Sequence, residues 1–367
     1  MRPPSLGVVV VASPARCHPS TELIDSVFDS LQLIEGLDGA PAAVVCDGCR
    51  VSTQLEPAHA ERLAKRLEID PMRFSKRGIV TDGVSTAYDE FKQRLRAERT
   101  GLAMLELGSH HGFALAVREG LRWAQDAGCT HALVCQHDRR FVRQLSESML
   151  GALLDHLEAR PSCRYIGFPS GTSKRLAART ANEYKLGSLL EARSHALPPS
   201  PHGGRLSLRP SIFWYDSNHL VHVDRALELL YTPDAVASAE APRSAGFDRA
   251  PPALRARLGD RGAARFRLRR GDFIEERFGV EQRNLLAGMA DDELDAQLEA
   301  FDHFGSYLLE EVVEGDEGVL VDREGLVTMV DHIDGRGAVP PSERRQGAAR
   351  EEKREGRAPQ GRWGAST

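Results

Sequence analysis

Residues 102–138 constrain the fold more than any other stretch. An apolar run, LAMLEL (102–107), is followed by HHGFALAVREGLRWAQDAG and then by a second apolar run, HALVCQ (131–136). In the middle segment Phe113, Val117, Leu121 and Ala124 share one helical face. Ser109 stands where an N-cap belongs, and Gly128 where a helix stops. Strand, helix and strand in so short a span make a βαβ unit, and a βαβ unit implies a parallel sheet.

The segments before it fit the same plan. GVVVVAS (7–13) is a β-branched run of the kind buried on both faces of a sheet. Ser20 can cap a helix carrying Ile24, Phe28, Leu31 and Ile34. AAVVCDG (42–48) reads as a second strand, 54–67 as a charged amphipathic helix, GIVTDG as a short strand or loop, and 85–98 as another helix. Beyond the βαβ unit, RYIGFPS (164–170) and SIFWYDSNHLVH (211–222) look like strands. Residues 235–270, rich in Ala, Pro, Gly and Arg, are expected to form a long mobile loop with some helix, and 272–289 a helix. GVLVD and LVTMVDHID make a late pair of short strands. Residues 1–335 are expected to form one domain and 336–367, almost without apolar side chains, a disordered tail. No internal repeat is visible. The fold class expected is α/β, Rossmann-like, with a mostly parallel central sheet flanked by helices.

Composition removes several functions. A net charge of −5 does not suit a phosphate-backbone ligand, so no nucleic-acid partner is expected. The six cysteines are scattered, several within apolar runs, and read as reduced thiols without a disulfide framework. CDGC is a lone CxxC with no second pair at zinc-finger spacing. No run has the length of a transmembrane helix, and LGVVVVA is too short for a secretory core, so the expected location is cytoplasmic.

Three strands end on polar groups: Ser13, Asp47 and Asp138. Parallel sheets bind ligands at their carboxyl edge where strand order reverses, so these endings point to one site. His137-Asp138 also invites comparison with the HD phosphohydrolases, but those carry the pair on helices and here it follows a strand.

The order VVVVASPARCHPSTELIDSVFDSL, VVCDG, ELGSHHGFALAVREGLRWAQDAGCTHALVCQHD resembles the GT-A glycosyltransferases, most of all the large inverting family 2. That family shows Asn-x-Gly, then A-x-N-x-G in a helix, then an apolar strand ending in Asp-x-Asp. This chain has His110-His111-Gly112, Ala116-Val117-Arg118-Glu119-Gly120 and Gln136-His137-Asp138. The likeness covers residues 7–142 well and 143–335 loosely. It departs at Gln136, which stands where the first acid belongs, and at His110 and Arg118, which replace the asparagines.

The resemblance implies a GT-A fold with a 7–142 half that binds a nucleotide-sugar and a 143–335 half that binds the acceptor. It implies transfer of a sugar, with inversion, to a hydroxyl of a glycan, lipid or protein. A diphosphate leaving group gains charge as it departs, so arginines or a divalent cation must stabilise it. Donor contacts are expected from Ala12, Ser13, Pro14, Asp47, His110, Arg118, Gln136, His137, Asp138 and Arg139, with Arg140 adding charge. Asp138 and His332 are the candidate ligands for Mn²⁺ or Mg²⁺. Asp272, then Glu275, are candidates for the base that deprotonates the acceptor. Trp214, Tyr215, Asp216 and His219 are candidates for the acceptor site. Two alternatives stand beside this: a nucleotidyltransferase, disfavoured because ASPARCHPS has no glycine to cradle a triphosphate, and a non-catalytic binding relative, which Gln136 keeps open.

Overall fold

The computed structural model describes residues 5–200, 203–231, 250–289, 293–314, 321–322 and 324–333. The expected tail 336–367 lies outside them, as do residues 235–249 of the expected loop.

The strands are β1 (Leu6–Ala12), β2 (Ala42–Cys46), β3 (Arg50–Val51), β4 (Ile79–Val80), β5 (Ala103–Glu106), β6 (His131–Gln136) and β7 (Arg139–Phe141), then β8 (Tyr165–Gly167), β9 (His195–Ala196), β10 (Arg205–Pro210), β11 (His219–His222), β12 (Ser306–Val312) and β13 (Val330–His332). Nine of them form one sheet in the order β5-β2-β1-β6-β11-β8-β12-β10-β9. The first four pair in parallel, and only β10 and β11 run against the rest. This is the expected Rossmann-like class. β3 pairs with β4, and β7 with β13, in two small satellite sheets.

The helices that matter for the site are α1 (Glu22–Ser30), α2 (Pro57–Ile69), α3 (Asp82–Glu98), α4 (Phe113–Asp126) and α5 (Glu147–Ala159). β1 is covered on both faces, and Val8 to Ala12 are buried without alternation, as its β-branched run requires. α4 lies directly on it. Gly120 faces Val9 so closely that an added Cβ would enter the Val9 side chain, which sets how near helix and strand can come. All six cysteines are free and five are buried.

Several expectations need correction. The segment 211–222 is a strand only from His219; before that it is an irregular loop whose Trp214 is fully buried. The helix expected over 272–289 begins as a π-helical turn, Glu275–Gly279, and becomes α-helical at Val280–Ala287. α1 starts at Glu22, with Thr21 at its N-cap and no side-chain cap bond, while Ser20 Oγ accepts the Glu22 N–H at 3.2 Å. From 250 to 270 the chain holds a helix, Pro252–Ala263, that breaks at Gly259. Strands β10 and β12, in segments where no strand was anticipated, complete the far half of the sheet beside β8 and β11.

Substituting Gly120→Ala should cost roughly 1–3 kcal/mol, since the methyl overpacks the contact with β1. Urea denaturation should show a lower midpoint with an unchanged slope; an unmoved midpoint would mean that α4 is not seated on β1 as described.

Candidate functional site

Strand order reverses at β1. The chain runs outward from β1 to β2 and β5, then returns to place β6 on the other side. The carboxyl ends of β1, β2 and β6 therefore flank a crevice. His137 sits across it, donating both its N–H and its ring Nδ1–H to the Val11 carbonyl, at 3.0 and 3.2 Å. Beyond β1, Ala12 is buried and its carbonyl accepts from the Asp47 N–H at 2.8 Å and the Tyr88 hydroxyl at 3.2 Å. Ser13 is half-buried and Pro14 buried. His18 folds this loop back: its Nδ1 accepts the Ala15 N–H at 3.1 Å while its ring stacks 4.2 Å from Phe91. Burial, with His137 nearby, lowers the His18 pKa to about 3.

Asp47, at the end of β2, is committed to the protein. Its Oδ1 accepts the His111 N–H at 2.7 Å, and its Oδ2 accepts the Gly112 N–H at 3.0 Å and His110 Nδ1 at 2.8 Å. Three donors from one loop leave it as the anchor of 110–112 and not as a free acceptor for a nucleobase or ribose. Gly112 has φ +77°, and a Cβ there would stand 2.6 Å from the Cα of Gly271, so the loops 109–112 and 269–272 touch through backbone. Gly271 donates to the His111 carbonyl at 2.8 Å.

Between these loops and β3 opens a cleft of about 400 Å³, lined by Arg50, Arg77, Arg270, Ser109, His110 and Asp272. Since a carboxylate only accepts, His110 carries its hydrogen on Nδ1. Its buried Nε2 has no protein partner. Arg270 donates to Ser109 Oγ at 3.1 Å. Among the described residues none of the three arginines forms an ion pair, which leaves their charge available to an anion. Sequence reasoning missed Arg50, Arg77 and Arg270. They are exposed, carry no periodic signal and converge only through the fold.

A second group gathers at the tip of β6. Asp138 Oδ2 lies 3.1 Å from His332 Nε2, 194 positions away in sequence. β13 brings His332 there by pairing with β7 in the register His332↔Arg139. Asp138 Oδ1 is buried without a partner. Burial raises the Asp138 pKa, but the His332 hydrogen bond and the charges of His137, His332 and Arg139 outweigh it and leave the carboxyl below its ordinary value. Gln136 donates its side-chain N–H to the Asp216 carbonyl at 2.6 Å. Asn218, fully buried, accepts from the Gln136 N–H at 3.4 Å and donates to the Arg139 carbonyl at 2.9 Å, locking the tip.

Asp216 and Glu275 cap one another: Glu275 N–H donates to Asp216 Oδ1 at 3.2 Å, and Asp216 N–H to Glu275 Oε2 at 3.4 Å. Burial first, then the neighbouring Glu275, pushes the Asp216 pKa well above the carboxylate range. Burial also raises that of Glu275, which Arg139 partly offsets. Segment 269–275 therefore joins both groups, with Asp272 in the arginine cleft and Glu275 beside the β6 tip. Asp272 itself accepts the Arg269 N–H at 2.8 Å, closing its own turn.

Four expectations fail on burial. Trp214 is 0% exposed, packed 4.5 Å from Tyr165 and 5.8 Å from Phe278, so it belongs to the core and cannot face an acceptor. His219 is 1% exposed, bonded through Nδ1 to the Ser217 carbonyl and lowered to about 4 by burial. Asp216 is buried in its pairing with Glu275. Arg118 is 4% exposed and held by Glu119 Oε1 at 2.5 Å, so it offers no charge to a donor. Tyr215 stays half-buried, its pKa raised to about 12 by burial and by Glu275. Arg140 points outward to Asp331 at 3.4 Å.

A divalent cation fits Asp138 and His332 in donor type. Asp138 Oδ1 is orphaned, His332 Nε2 lies 3.1 Å from the other oxygen, Oδ2, and His332 is open to solvent. Among the described residues no third His, Cys, Asp or Glu is close enough to complete the set with them.

No protein-family model matches the chain, and no curated protein is similar to it. Solved structures are. The chain is similar to the crystal structure of S. aureus TarS 1-349, at 10% identity and TM-score 0.31, over 64% of this chain and 52% of that one, so it spans about half of that structure. A second S. aureus TarS structure aligns at 10% identity and TM-score 0.32, over 64% of this chain and 31% of that one. The apo form of mouse xyloside xylosyltransferase 1 aligns at 9% identity and TM-score 0.31, over 90% of this chain and 98% of that one. Likenesses of this size assign no residue here a role.

The raised carboxyls make a pH prediction. Asp216 and Glu275 keep their protons to higher pH folded than unfolded. Their contribution to stability is therefore complete below the unfolded carboxylate pKa and is lost as pH rises through the folded values. Asp216→Asn preserves an acceptor for the Glu275 N–H and removes the buried acid. Its Tm should gain on the wild type as pH rises from about 4 to 8; a difference constant across that range would exclude a buried, protonated Asp216.

Proposed function

We propose that the protein is a GT-A-type glycosyltransferase that moves a sugar from a nucleoside diphosphate donor to an acceptor hydroxyl, with inversion. The observation that carries this reading is the convergence of Asp138, His332, Arg139 and Glu275 at the switch point of the sheet, next to a cleft with three arginines that form no ion pair among the described residues. A binding site for a diphosphate needs concentrated positive charge, and the transfer needs a base near the acceptor hydroxyl.

Arg50, Arg77 and Arg270 would take the donor's phosphates, with His110 in the wall of the same cleft. Asp138 and His332 would hold a divalent cation, whose coordination is completed by phosphate oxygens, as is common for Mg²⁺ and Mn²⁺. That cation would supply charge neutralisation for the departing diphosphate. Glu275 is the better base of the two candidate acids. Burial raises its pKa and it lies beside the β6 tip, whereas Asp272 lies in the arginine cleft. Glu275 would take the acceptor's hydroxyl proton as that oxygen bonds to the anomeric carbon and the glycosyl–phosphate bond breaks. Arg139, beside both Asp138 and Glu275, would keep Glu275 partly ionised before transfer. No helix among the described residues is long and apolar enough to cross a membrane, so no spanning anchor is invoked for meeting the acceptor.

Isothermal titration with UDP and GDP, with and without Mn²⁺, tests the donor half. A nucleoside diphosphate should bind, more weakly as salt rises, because the arginines are exposed and screened. Arg77→Ala or Arg270→Ala should each weaken binding about tenfold, roughly 1.4 kcal/mol. Glu275→Gln should leave binding unchanged and lower donor turnover by about 10²–10⁴. Binding of triphosphates alone would favour a nucleotidyltransferase, and binding of neither would leave only a non-catalytic relative.

A further inference from the structure

The opposite edge of the same sheet carries a separate group of ligand-type side chains. His131 opens β6 and His222 closes β11. The two strands are antiparallel and the histidines stand directly across from each other in the register His222↔His131. Directly opposed residues leave the same face of a sheet. Over that face lies the last turn of α5, which presents Glu158. Glu158 Oε2 is 3.8 Å from His131 Nε2 and 3.7 Å from His222 Nε2, and one donor atom from each residue lies within 4.8 Å of the others.

These separations exceed a hydrogen bond; the unpartnered Nε2 of His131 faces the centre of the group, while the unpartnered nitrogen of His222 is Nδ1. The His131 side chain is 0% exposed, yet its Nε2 has no partner. A buried polar atom left so destabilises the fold unless something meets it. On the far side of the ring Thr130 Oγ1, which accepts the Ser5 N–H at 3.1 Å, lies 2.9 Å from His131 Nδ1. When Nδ1–H is donated to that oxygen, the Nε2 lone pair is left for a cation shared with Glu158.

We propose that His131, His222 and Glu158 form a transition-metal site, of the zinc(II) class, that ties the end of α5 to β6 and β11. Two imidazoles and one carboxylate suit zinc, and hard cations such as Mg²⁺ prefer oxygen sets. With bonds of about 2.0–2.2 Å, tetrahedral ligands stand about 3.4 Å apart. The two carboxylate–imidazole gaps need a shift of a few tenths of an ångström, which Glu158, 42% exposed, is free to make, and the imidazole nitrogens, within 4.8 Å of each other, draw together by side-chain rotation. Its exposed side leaves the fourth position to water. The Thr130–His131 hydrogen bond is the outer-sphere contact that orients a ligating histidine. Burial holds both imidazoles below their ordinary pKa, so both are neutral ligands near pH 7.

Other charges face the site. Arg225 donates to the carbonyls of Glu158, Leu157, Arg160 and Cys163, and opposes a cation. Asp224, bonded to Gln125 Nε2 at 2.7 Å, favours one. With Glu158 the sum is two carboxylates against one guanidinium. β6 separates this group from Asp138 by roughly 17 Å, the rise of a six-residue strand, so the role is to brace the fold away from the chemistry.

The test is Zn²⁺ titration of the chelator-treated full chain, followed by calorimetry and by thermal shift. One equivalent should bind and raise the Tm, with Mg²⁺ having no such effect. Glu158→Gln, at a solvent-facing helix end, and His222→Ala should each weaken Zn²⁺ binding at least tenfold while UDP or GDP binding stays unchanged. Thr130→Val should weaken Zn²⁺ binding about tenfold. Co²⁺ in place of zinc should give the visible spectrum of a tetrahedral N/O site. A thiolate charge-transfer band would place the ion on cysteine instead and overturn the proposal. Failure of the wild type to bind one equivalent, or loss of binding in Asp138→Asn but not in Glu158→Gln, would overturn it as well.

Discussion

The candidate site depends on one buried carboxylate. Asp47 at the end of β2 is 3% exposed and receives three hydrogen bonds from residues 110–112. A carboxylate so placed is tolerable only when its lone pairs are filled. The bonds fix where the loop after β5 turns, and therefore where α4 starts. They also fix His110 in the wall of the arginine cleft. Because Gly112 and Gly271 meet backbone to backbone, the same loop positions segment 269–275. That segment carries Asp272 and Glu275. A single anchor on the parallel half of the sheet thereby places side chains from both halves of the chain.

The acids divided by this scaffold have separate environments. Asp138 is drawn down by His332, His137 and Arg139 against the effect of burial, while Asp216 and Glu275 are pushed up by burial. Carboxyls whose environments move their pKa values apart are suited to different protonation roles at one pH. The ionised member lies where a cation or a diphosphate would meet it. The raised member with solvent access, Glu275, lies where a proton can be accepted. Asp216, wholly buried, holds Glu275 in place through the reciprocal capping bonds.

The parallel half was legible because its physics is local. β1, β2, β5 and β6 are short apolar runs, and α4 has an unbroken apolar face, so pattern and structure coincide. The far half was not. β12 reads SYLLEEV, and the acids in its middle mask a strand whose Glu311 is buried against Arg143 at 2.9 Å. SIFWYDSNHLVH has strand-like composition, but Trp214 is buried by an irregular loop that packs it on Tyr165 and Phe278. In the site, Asp138 and His332 were reachable by resemblance, and their hydrogen bond depends on the β7–β13 pairing that no local pattern announces. Exposed arginines leave no periodic trace at all, so Arg50, Arg77 and Arg270 became visible only together.

Gln136 is the residue that departs most from an Asp-x-Asp pattern, and its surroundings give a reason. Its side chain donates to the Asp216 carbonyl at 2.6 Å, on the loop that also supplies Asn218 to the β6 tip. An aspartate there has no hydrogen to give. It would turn a carboxylate toward a carbonyl oxygen, next to a buried acid whose pKa burial already raises, and the repulsion would push 216–218 away from the strand. That loop positions Glu275 through Asp216. A glutamine is therefore what this arrangement of the tip requires, and the charge that a first aspartate would have helped to bind falls to Asp138 with His332 and to the arginines of the neighbouring cleft.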